Sequence, residues 1–371
     1  MNAGTAPPSA TWSHEPARLD LDQVRSALQG WLRDRRPDQR DLVITDLRQP
    51  TANGGTGDNL LVTLRHSAGQ EGGAQEEKIV ARLNAIGQSH IHEVSIVQHF
   101  RVLQTLEPTP VPSPRPLWLE TDPDVLGVPF MVMAFVPGRA PSDFPLYNES
   151  GFVFDATVAK RRALWEAAME AFAAVHRLDA GLFGYLDRPD RGADGLHQHV
   201  AYLREAFAHS PLPERNSQFE NALDWVATTV PAQHQTGFAW GDPRIGNILF
   251  DEGMRVQTLL DWDQASLAGP LADLGWWLLF DRLHGEDYGQ PRLAGLGTRD
   301  ETIERWQQLT GLRADHLDWY EILAGLRLAI VRFRGVKARE LRGLWVPGPD
   351  NPRSWESLMN RLDTMIEAYG A

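Results

Sequence analysis

The chain has 371 residues, 42% of them hydrophobic and 23% charged, which is ordinary for a globular protein with a large core. The net charge of −13 argues against a nucleic-acid partner, because phosphate binding needs a basic surface. No cysteine is present, which excludes disulfides, thiolate metal sites and a cysteine nucleophile. The opening residues do not resemble a signal peptide, and no apolar run reaches the roughly 20 residues of a membrane span. We therefore expect a cytoplasmic protein with no membrane or nucleic-acid partner.

The first part of the chain predicts a tail, a helix and a glycine-rich hairpin. Residues 1–17 are rich in Pro, Ala and Ser, which favours a disordered tail. Apolar residues recur at helical spacing over residues 19–32 and predict an amphipathic helix. A short apolar strand then leads to a glycine-rich stretch containing Gly55, followed by Asn59 and a second strand. Glycines of this kind let backbone N–H groups approach phosphates, so we favour a nucleotide-covering loop over a simple turn.

The next strand, residues 78–83, carries a candidate phosphate ligand. Its inward position is Arg82, where protein kinases have a lysine that contacts the nucleotide phosphates. A guanidinium can hold phosphate through two hydrogen bonds, and the alternative is a strand-end arginine that faces water. The pattern from residue 93 to residue 103 predicts a helix. Glu93 is the nearby carboxylate that could pair with Arg82.

An apolar strand at residues 129–136 ends in a Pro-Gly break, and the pattern beyond it is mainly helical. His176, at the end of one predicted core helix, is interpreted as a packed or capping residue rather than a catalytic one. The histidine pairs 90/92 and 197/199 have a spacing that could bind a metal. We do not favour a metal there, because neither pair has an evident carboxylate or cysteine partner nearby in sequence.

The most informative stretch is residues 238–263. Asp242 and Asn247 have the Asp-x-x-x-x-Asn spacing of a kinase catalytic loop, and Asp261 follows a predicted hairpin. The two ends of a hairpin meet, so Asn247 and Asp261 could face one ion. Phosphoryl transfer needs a carboxylate beside the attacking hydroxyl and hard oxygen ligands for Mg²⁺. The stretch therefore predicts Asp242 as the base, with Asn247 and Asp261 as metal ligands; a surface hairpin with acidic ends is the alternative.

These motifs resemble a known family. The sequences Trp-Gly-Asp at 240–242, Leu-Asp-Trp-Asp at 260–263 and Gly-Pro-Leu-Ala-Asp-Leu at 269–274 are similar to the Brenner motif of the aminoglycoside phosphotransferase family. That family includes choline kinase-like enzymes and the kinase domain fused to some acyl-CoA dehydrogenases. The resemblance covers the chain from about residue 40 to the late helices. Two positions depart from the family pattern: Trp240 replaces the usual His, and Asp263 replaces the usual Glu.

The resemblance implies an α+β, protein-kinase-like fold with two lobes. A small antiparallel-sheet lobe over residues 18–136 would bind the nucleotide. A larger, mainly helical lobe over residues 137–371 would carry the catalytic loop and bind the substrate. The phosphoryl donor would be ATP, or alternatively GTP, and adenine would contact the backbone at Ala134 and Val136.

Several roles stay open at this stage. Arg244 could steady the loop, touch the transferring phosphate, or lie on the surface. Asp273 would cap its helix or hold the backbone of the catalytic loop, and Trp276 would pack in the core or line the substrate site. The arginine-rich helix at residues 319–341 would pair with the acidic body or mark a site for an anionic substrate such as a CoA thioester.

The expected reaction is Mg²⁺-dependent transfer of phosphate from ATP to a hydroxyl of a small molecule, which would be aminoglycoside-like or hydroxyacyl-CoA-like. The alternatives are a nucleotide-binding protein without turnover, a magnesium-dependent hydrolase that uses Asp242 and Asp261, and a scaffold protein that does not use nucleotide.

Overall fold

The computed structural model describes residues 20–39, 41–50, 57–67, 73–84, 91–211, 214–345 and 355–369. The predicted tail at residues 1–17 and the predicted loop residue Gly55 lie outside these residues. The chain divides into two compact units. The N-terminal unit contains the described residues of Ser13–Gly87 and Glu93–Pro137, and the C-terminal unit contains those of Gly138–Ala371 together with residues 91–92.

The N-terminal unit is an antiparallel sheet with two helices. Its five strands have the order β1-β2-β3-β5-β4. In chain order, the elements are α1 (Leu21–Arg35), β1 (Val43–Arg48), β2 (Gly57–Ser67), β3 (Ala74–Asn84), α2 (Ile96–Leu106), β4 (Pro116–Glu120) and β5 (Phe130–Ala134). The long β2–β3 pairing sets the register and places Arg82 opposite Asn59 on one side and Met131 on the other.

Helix α1 forms where the helical spacing predicts it. The Asp20 side chain caps it by accepting hydrogen bonds from the backbone N–H groups of Asp22 and Gln23, both at 3.1 Å. Its apolar face, with Leu28 and Leu32 fully buried, belongs to the same core as the sheet. Burying each such leucine contributes on the order of 2 kcal/mol, so packing rather than helix propensity fixes this element.

The predicted helix start at Glu93 is wrong. Helix α2 begins at Ile96, and the Ser95 side chain accepts a hydrogen bond from the N–H of Gln98 at its first turn. Glu93 lies before this cap, is exposed, and has a φ of 55°. A serine cap placed just before the apolar run is the stronger start signal, because it satisfies a backbone donor that would otherwise lack a partner.

The C-terminal unit is mainly helical. It contains α3 (Val158–His176), α4 (Gly195–Ala208), α5 (Ser217–Thr228), β6 (Ile248–Phe250), β7 (Val256–Leu259), α6 (Pro270–Arg282), α7 (Arg299–Thr310), α8 (Leu317–Leu341) and α9 (Glu356–Tyr369). Short helical turns also occur at Ala180–Leu186, Ile245–Asn247 and Leu283–Asp287. Within the parts of the chain described, no helix combines the length and apolarity that a membrane span requires.

Helix α8 runs through the core of this unit and buries several of its cations. Lys337 lies between two carboxylates, Glu214 and Glu340. The Arg334 guanidinium instead donates to the backbone carbonyls of Ala206 and His209, each at 2.7 Å. Ion pairs with acidic groups are one expectation from the sequence for this helix. Lys337 forms such pairs, whereas the hydrogen bonds of Arg334 described above go to backbone carbonyls.

Candidate active site

The catalytic loop begins at a glycine that no other residue can replace without strain. Gly241 has a φ of 93°, and a Cβ at this position would lie 2.1 Å from the carbonyl oxygen of Gln264. Glycine avoids both the steric clash and the cost of the left-handed backbone region. Because the backbone of Gly241 lies close to that of Gln264, the next residue, Asp242, lies in the turn where the sequence predicts the catalytic base.

Asp273 holds the backbone of this loop. Its carboxylate accepts hydrogen bonds from the N–H of Trp240 at 2.6 Å and from the N–H of Gly241 at 2.9 Å. The Nε2 of His176 lies 3.1 Å from the same carboxylate, and the Nε1–H of Trp306 donates to His176 Nδ1 at 2.8 Å. Since Nδ1 accepts, Nε2 carries the proton and donates to Asp273. His176 and Asp273 are thus structural supports of the loop.

Trp240, which replaces the family's histidine, links the loop to the second acidic motif. Its indole Nε1–H donates to the carbonyl oxygen of Leu260 at 2.8 Å, and its ring is fully buried. Leu260 directly precedes Asp261, so the indole fixes the segment that carries this carboxylate. The replacement therefore keeps a hydrogen-bond donor at this position and needs no proton acceptor there.

The Asp242 carboxylate is held on both oxygens. Trp276 Nε1–H donates to Oδ1 at 2.7 Å, while Asn247 Nδ2 donates to Oδ2 at 2.7 Å. The guanidinium Nε of Arg244 also lies 3.4 Å from Oδ2. From the residues that the structure describes, Oδ1 receives only the Trp276 donor and has a second lone pair, so these contacts orient the group without using up its capacity to accept a proton.

Asn247 and Asp261 flank a hairpin whose two ends lie together. Strands β6 and β7 pair antiparallel, and the N–H of Leu260 donates to the carbonyl of Asn247 at 2.8 Å. The amide nitrogen of Asn247 makes its hydrogen bonds to Asp242, which leaves the side-chain oxygen as the group that could bind a cation. Asp261 adopts a φ of 58°, a left-handed conformation that is uncommon outside glycine and often marks functional sites. One amide oxygen and one carboxylate are hard donors, and this set fits Mg²⁺.

Arg244 is half-buried among carboxylates, with its side chain 12% exposed. Its guanidinium forms an ion pair with Asp143, whose other oxygen lies 3.2 Å from His284 Nε2. Burial lowers the pKa of Arg244, but the charges of Asp242, Asp143 and Asp261 outweigh that effect and raise it above its usual range. Burial likewise opposes ionisation of Asp143, yet Arg244 and His284 hold the pKa of its carboxyl at about 2. Arg244 is therefore a permanent cation beside the base.

The nucleotide-binding candidates lie in the N-terminal unit. Arg82 is 5% exposed, so it is not a strand-end arginine facing water. Asn59 lies opposite it in the sheet, and its Oδ1 is buried without a hydrogen-bond partner among the described residues. The N–H of Ala134 donates to the carbonyl of Arg115 at 2.9 Å, whereas the N–H of Val136 makes no hydrogen bond within the described chain. Glu93 is exposed and lies before helix α2, so it is not part of the helix that the sequence predicts to begin there.

Sequence reasoning misses the residues that reach Asp242 and Arg244 from elsewhere in the fold. It places Trp276 in the core or at a substrate wall, and it does not single out Asp143 or His284. The Trp276–Asp242 and Arg244–Asp143 contacts join positions that are 34 and 101 residues apart. Spacing along the chain carries no signal for such pairs.

From the sequence, no carboxylate partner is expected near the histidine pair 197/199, and for His197 this is wrong. His197 does have a carboxylate nearby in sequence, because its Nδ1 lies 2.9 Å from the carboxylate of Asp194, which also caps helix α4. His234 Nε2 lies 3.0 Å from the same carboxylate. Burial favours the neutral form of Asp194, but hydrogen bonds from the backbone and ring of His197 outweigh it and lower the pKa to about 2. Asp194 therefore acts as the cap of helix α4, and His197 and His234 contact the capping carboxylate.

Comparison with known proteins agrees with this geometry. Residues 70–312 match the phosphotransferase enzyme family. The chain is 29% identical over 212 residues to the probable acyl-CoA dehydrogenase IBR3 of Arabidopsis thaliana, a match that covers 55% of this chain and 25% of that protein. The chain therefore spans about a quarter of the length of this curated relative.

Two solved structures show the fold. A candidate aminoglycoside phosphotransferase from Ralstonia eutropha JMP134 aligns with a TM-score of 0.63 at 21% identity, covering 92% of this chain and 95% of that one. A thermostable mutant of aminoglycoside phosphotransferase APH(4)-Ia, in complex with AMP-PNP and hygromycin B, aligns with a TM-score of 0.55 at 14% identity, covering 93% and 99%. These alignments confirm the predicted kinase-like α+β fold. The chain belongs to the phosphotransferase enzyme family, and both the resemblance to the aminoglycoside phosphotransferases and the predicted phosphotransferase class are confirmed.

Proposed function

We propose that this protein transfers the γ-phosphoryl group of ATP to a hydroxyl group of a small molecule, in a reaction that depends on Mg²⁺. The observation that carries the proposal is the position of Asp242, which the fold holds on both carboxylate oxygens beside the Asn247–Asp261 pair. A merely structural aspartate would not require a metal-type donor set at the adjoining hairpin. GTP is the alternative donor, since no side chain in the proposal distinguishes the two bases.

Asp242 would act as the general base. It would accept the proton of the acceptor hydroxyl as that oxygen attacks the γ-phosphorus. Trp276 and Asn247 orient the carboxylate, and Arg244 supplies a fixed positive charge beside it. Arg244 lies close enough to the base to stabilise negative charge on the transferring phosphoryl group as well.

Asn247 and Asp261 would hold the metal through their side-chain oxygens. Mg²⁺, when bound, would neutralise charge on the nucleotide phosphates. Asp261 keeps its position because Leu260 is tied both to the Asn247 backbone and to the Trp240 indole. The two ligands are therefore placed before any cation arrives, which lowers the cost of binding.

The nucleotide would be bound through the lobe over residues 18–136, and the lobe over residues 137–371 would supply catalysis and acceptor binding. Arg82 is the candidate phosphate ligand, with Asn59 opposite it in the sheet. Gly55 remains the candidate residue of the loop that would cover the phosphates. The unbonded N–H of Val136 is available to a base edge, and Ala134 would offer its carbonyl. A cytoplasmic location, where ATP and Mg²⁺ are abundant, fits this function.

Two acceptor classes are considered. APH(4)-Ia was solved with hygromycin B, an aminoglycoside, which suggests an aminoglycoside-like acceptor. The IBR3 relative carries an acyl-CoA dehydrogenase name, which suggests a hydroxyacyl-CoA-like acceptor. Glu93 remains the candidate partner of Arg82. A nucleotide-binding protein without turnover is the alternative function, and the position of Glu93 before helix α2 favours it.

Thermal unfolding with and without Mg-ATP tests the proposal. A ligand at about 100 times its dissociation constant stabilises the folded state by about 2.7 kcal/mol. We expect that stabilisation for the wild type in the presence of Mg²⁺, and its loss in Asp261→Ala. Asp242→Asn should keep the stabilisation but lose transfer of labelled phosphate. Nucleotide binding with no transfer to any acceptor would favour the non-catalytic alternative, and phosphate release without an acceptor would favour a hydrolase.

A further inference from the structure

The C-terminal unit contains a pocket next to the catalytic loop, on the side of helix α8. We call it the arginine pocket. Its lining includes Arg327, Arg334, Gln264, Tyr202, His92 and Leu203. Gln264 connects the pocket to the loop, because its backbone carbonyl lies against Gly241. The pocket is thus separate from the hairpin that would hold the metal, but it adjoins the base.

Arg327 is a buried cation in this pocket, and its hydrogen-bonding groups are only partly used. The residue is 5% exposed. Its Nη2 donates to the side-chain oxygen of Gln264 at 2.6 Å, and its guanidinium carbon lies 3.9 Å from the ring centre of Trp276. Its Nε is buried and has no hydrogen-bond partner among the described residues. Buried polar groups are nearly always paired with protein, ligand or water, so this guanidinium nitrogen is a donor that a ligand in the pocket could use.

The positive charge of Arg327 is only partly offset by nearby carboxylates. None of the described residues that line it is an aspartate or a glutamate. Burial lowers the pKa of Arg327, and the more distant carboxylates of Asp242 and Asp273 only partly offset that effect. Burial, and after it the charge of Arg327, also lowers the pKa of His199 to about 3. A buried charge without an ionic partner is costly, and an anionic ligand would relieve that cost.

One indole joins the pocket to the base. The Trp276 ring stacks against Arg327, and its Nε1–H donates to Oδ1 of Asp242 at 2.7 Å. A molecule that is anchored by its anionic group at Arg327 would therefore have its remaining atoms close to the base. This is the arrangement that an acceptor with an anion at one end and a hydroxyl at the other requires.

We propose that the arginine pocket binds the anionic group of the acceptor and that Arg327 selects negatively charged acceptors over neutral and polycationic ones. The proposal rests on the proposed phosphotransferase function and names its substrate class. The anion is a carboxylate or a phosphate, either of which a guanidinium can bind through two hydrogen bonds. In the reaction, the acceptor oxygen bonds to the γ-phosphorus and its proton passes to Asp242. The bond from the γ-phosphorus to the bridging oxygen breaks, which yields a phosphate ester and ADP.

Matched acceptor pairs provide the test. 4-Hydroxybutyrate is compared with 4-hydroxybutyramide, and glycerol 3-phosphate with glycerol, so that each pair differs only in the anionic group; kanamycin represents a polycation. Binding is measured by calorimetry with AMP-PNP and Mg²⁺, and again without nucleotide. The variants are Arg327→Gln and Arg327→Lys, with Arg332→Gln as control. Arg332 is buried in the same helix, 8% exposed, but does not line the pocket.

We expect the anionic member of at least one pair to bind about tenfold tighter or more than its neutral partner in the wild type. Arg327→Gln should remove that preference, Arg327→Lys should keep part of it, and Arg332→Gln should keep it in full. The pair that shows the preference identifies carboxylate or phosphate as the anion.

Equal binding of neutral and anionic members, tighter binding of kanamycin, no binding of any acceptor, or a preference that survives Arg327→Gln would each overturn the proposal. The titration without nucleotide separates this outcome from failure of the proposed function. A protein that binds the anionic acceptors but shows no stabilisation by Mg-ATP would contradict the kinase function and leave the anion site in place.

Discussion

The indole Nε1–H of Trp276 donates a 2.7 Å hydrogen bond to Oδ1 of Asp242, from a helix that begins 28 residues after the base. The contact fixes one oxygen of the carboxylate, while Asn247 fixes the other. The Asp242 carboxylate is therefore oriented by a buried aromatic donor that cannot lose its proton at ordinary pH. In the proposed reaction, this orientation would keep Asp242 ready for the acceptor hydroxyl.

Replacing Trp276 by Phe tests this contact. The change keeps an aromatic ring but removes the donor, and we expect the turnover number for phosphate transfer to fall about tenfold or more, with stabilisation by Mg-ATP unchanged. Trp277→Phe is the matched control, because Trp277 is the next residue of the same helix and stacks on Phe172 at 4.9 Å. Equal losses in the two variants would indicate a packing effect rather than orientation of the base.

Replacing Asp273 by Asn should destabilise the fold. The amide has one acceptor oxygen in place of the two that hold the N–H groups of Trp240 and Gly241, so one buried donor loses its partner. We expect a loss of about 2 kcal/mol in the free energy of unfolding, measured by urea titration. Asp315→Asn, which breaks an exposed ion pair with Arg313, should cost less than about 1 kcal/mol. Similar losses for both variants would contradict the buried network.

Gly241→Ala should damage the site by geometry alone. The added Cβ would meet the carbonyl oxygen of Gln264 at 2.1 Å, so the loop must move. We expect a clear fall in melting temperature and loss of phosphate transfer. Gly127→Ala is the control, because Gly127 has a similar φ of 84° but no atom within 4 Å of the point that an added Cβ would occupy. If both variants behaved alike, backbone strain and not the clash would be responsible.

The ion pair of Asp143 with Arg244 predicts a specific acid dependence. The folded-state pKa of Asp143 is about 2, below its ordinary value of 3.8. A lowered pKa means that the carboxylate stabilises the fold above about pH 4 and that this contribution is lost as the pH falls through about 2. The full contribution is about 2 kcal/mol at neutral pH.

The free energy of unfolding of wild type and Asp143→Asn, measured from pH 7 to pH 2, checks this dependence. The difference between the two proteins should shrink as the pH falls. The carboxylate of Asp194, whose pKa is also about 2, is present in both proteins and cancels in the comparison. A difference that stays constant with pH would show that Asp143 acts by packing alone.

The local motifs are readable from the sequence because their chemistry is local. Asp242 and Asn247 share one short loop, and Asp261 follows a hairpin whose pairing is fixed by apolar strands on either side of a turn. Periodicity along the chain also predicts individual helices and strands, whereas the antiparallel sheet and the helical second lobe are implied by the family resemblance. In contrast, Trp276 and Asp143 reach the base and Arg244 across the fold, and their placement depends on how helices pack rather than on spacing along the chain.

The predicted helix start at Glu93 is wrong for a different reason. Apolar periodicity alone extends the helix backwards, but the backbone needs a partner for its first donors and finds it at Ser95. Trp240 illustrates the converse case. Its identity departs from the family pattern, yet its donor still serves the carbonyl of Leu260, so a substitution that looks damaging in sequence is accommodated by the structure.

The contact of Arg327 with the face of Trp276 has a consequence for redesign. The guanidinium touches the ring whose nitrogen orients Asp242, so under the proposed function acceptor choice and reaction rate would depend on one shared side chain. A change that removes the arginine charge to admit a new acceptor also alters the support of the base. Directed evolution toward neutral acceptors would therefore need paired substitutions at 327 and 276, and single changes at either position should trade selectivity against speed.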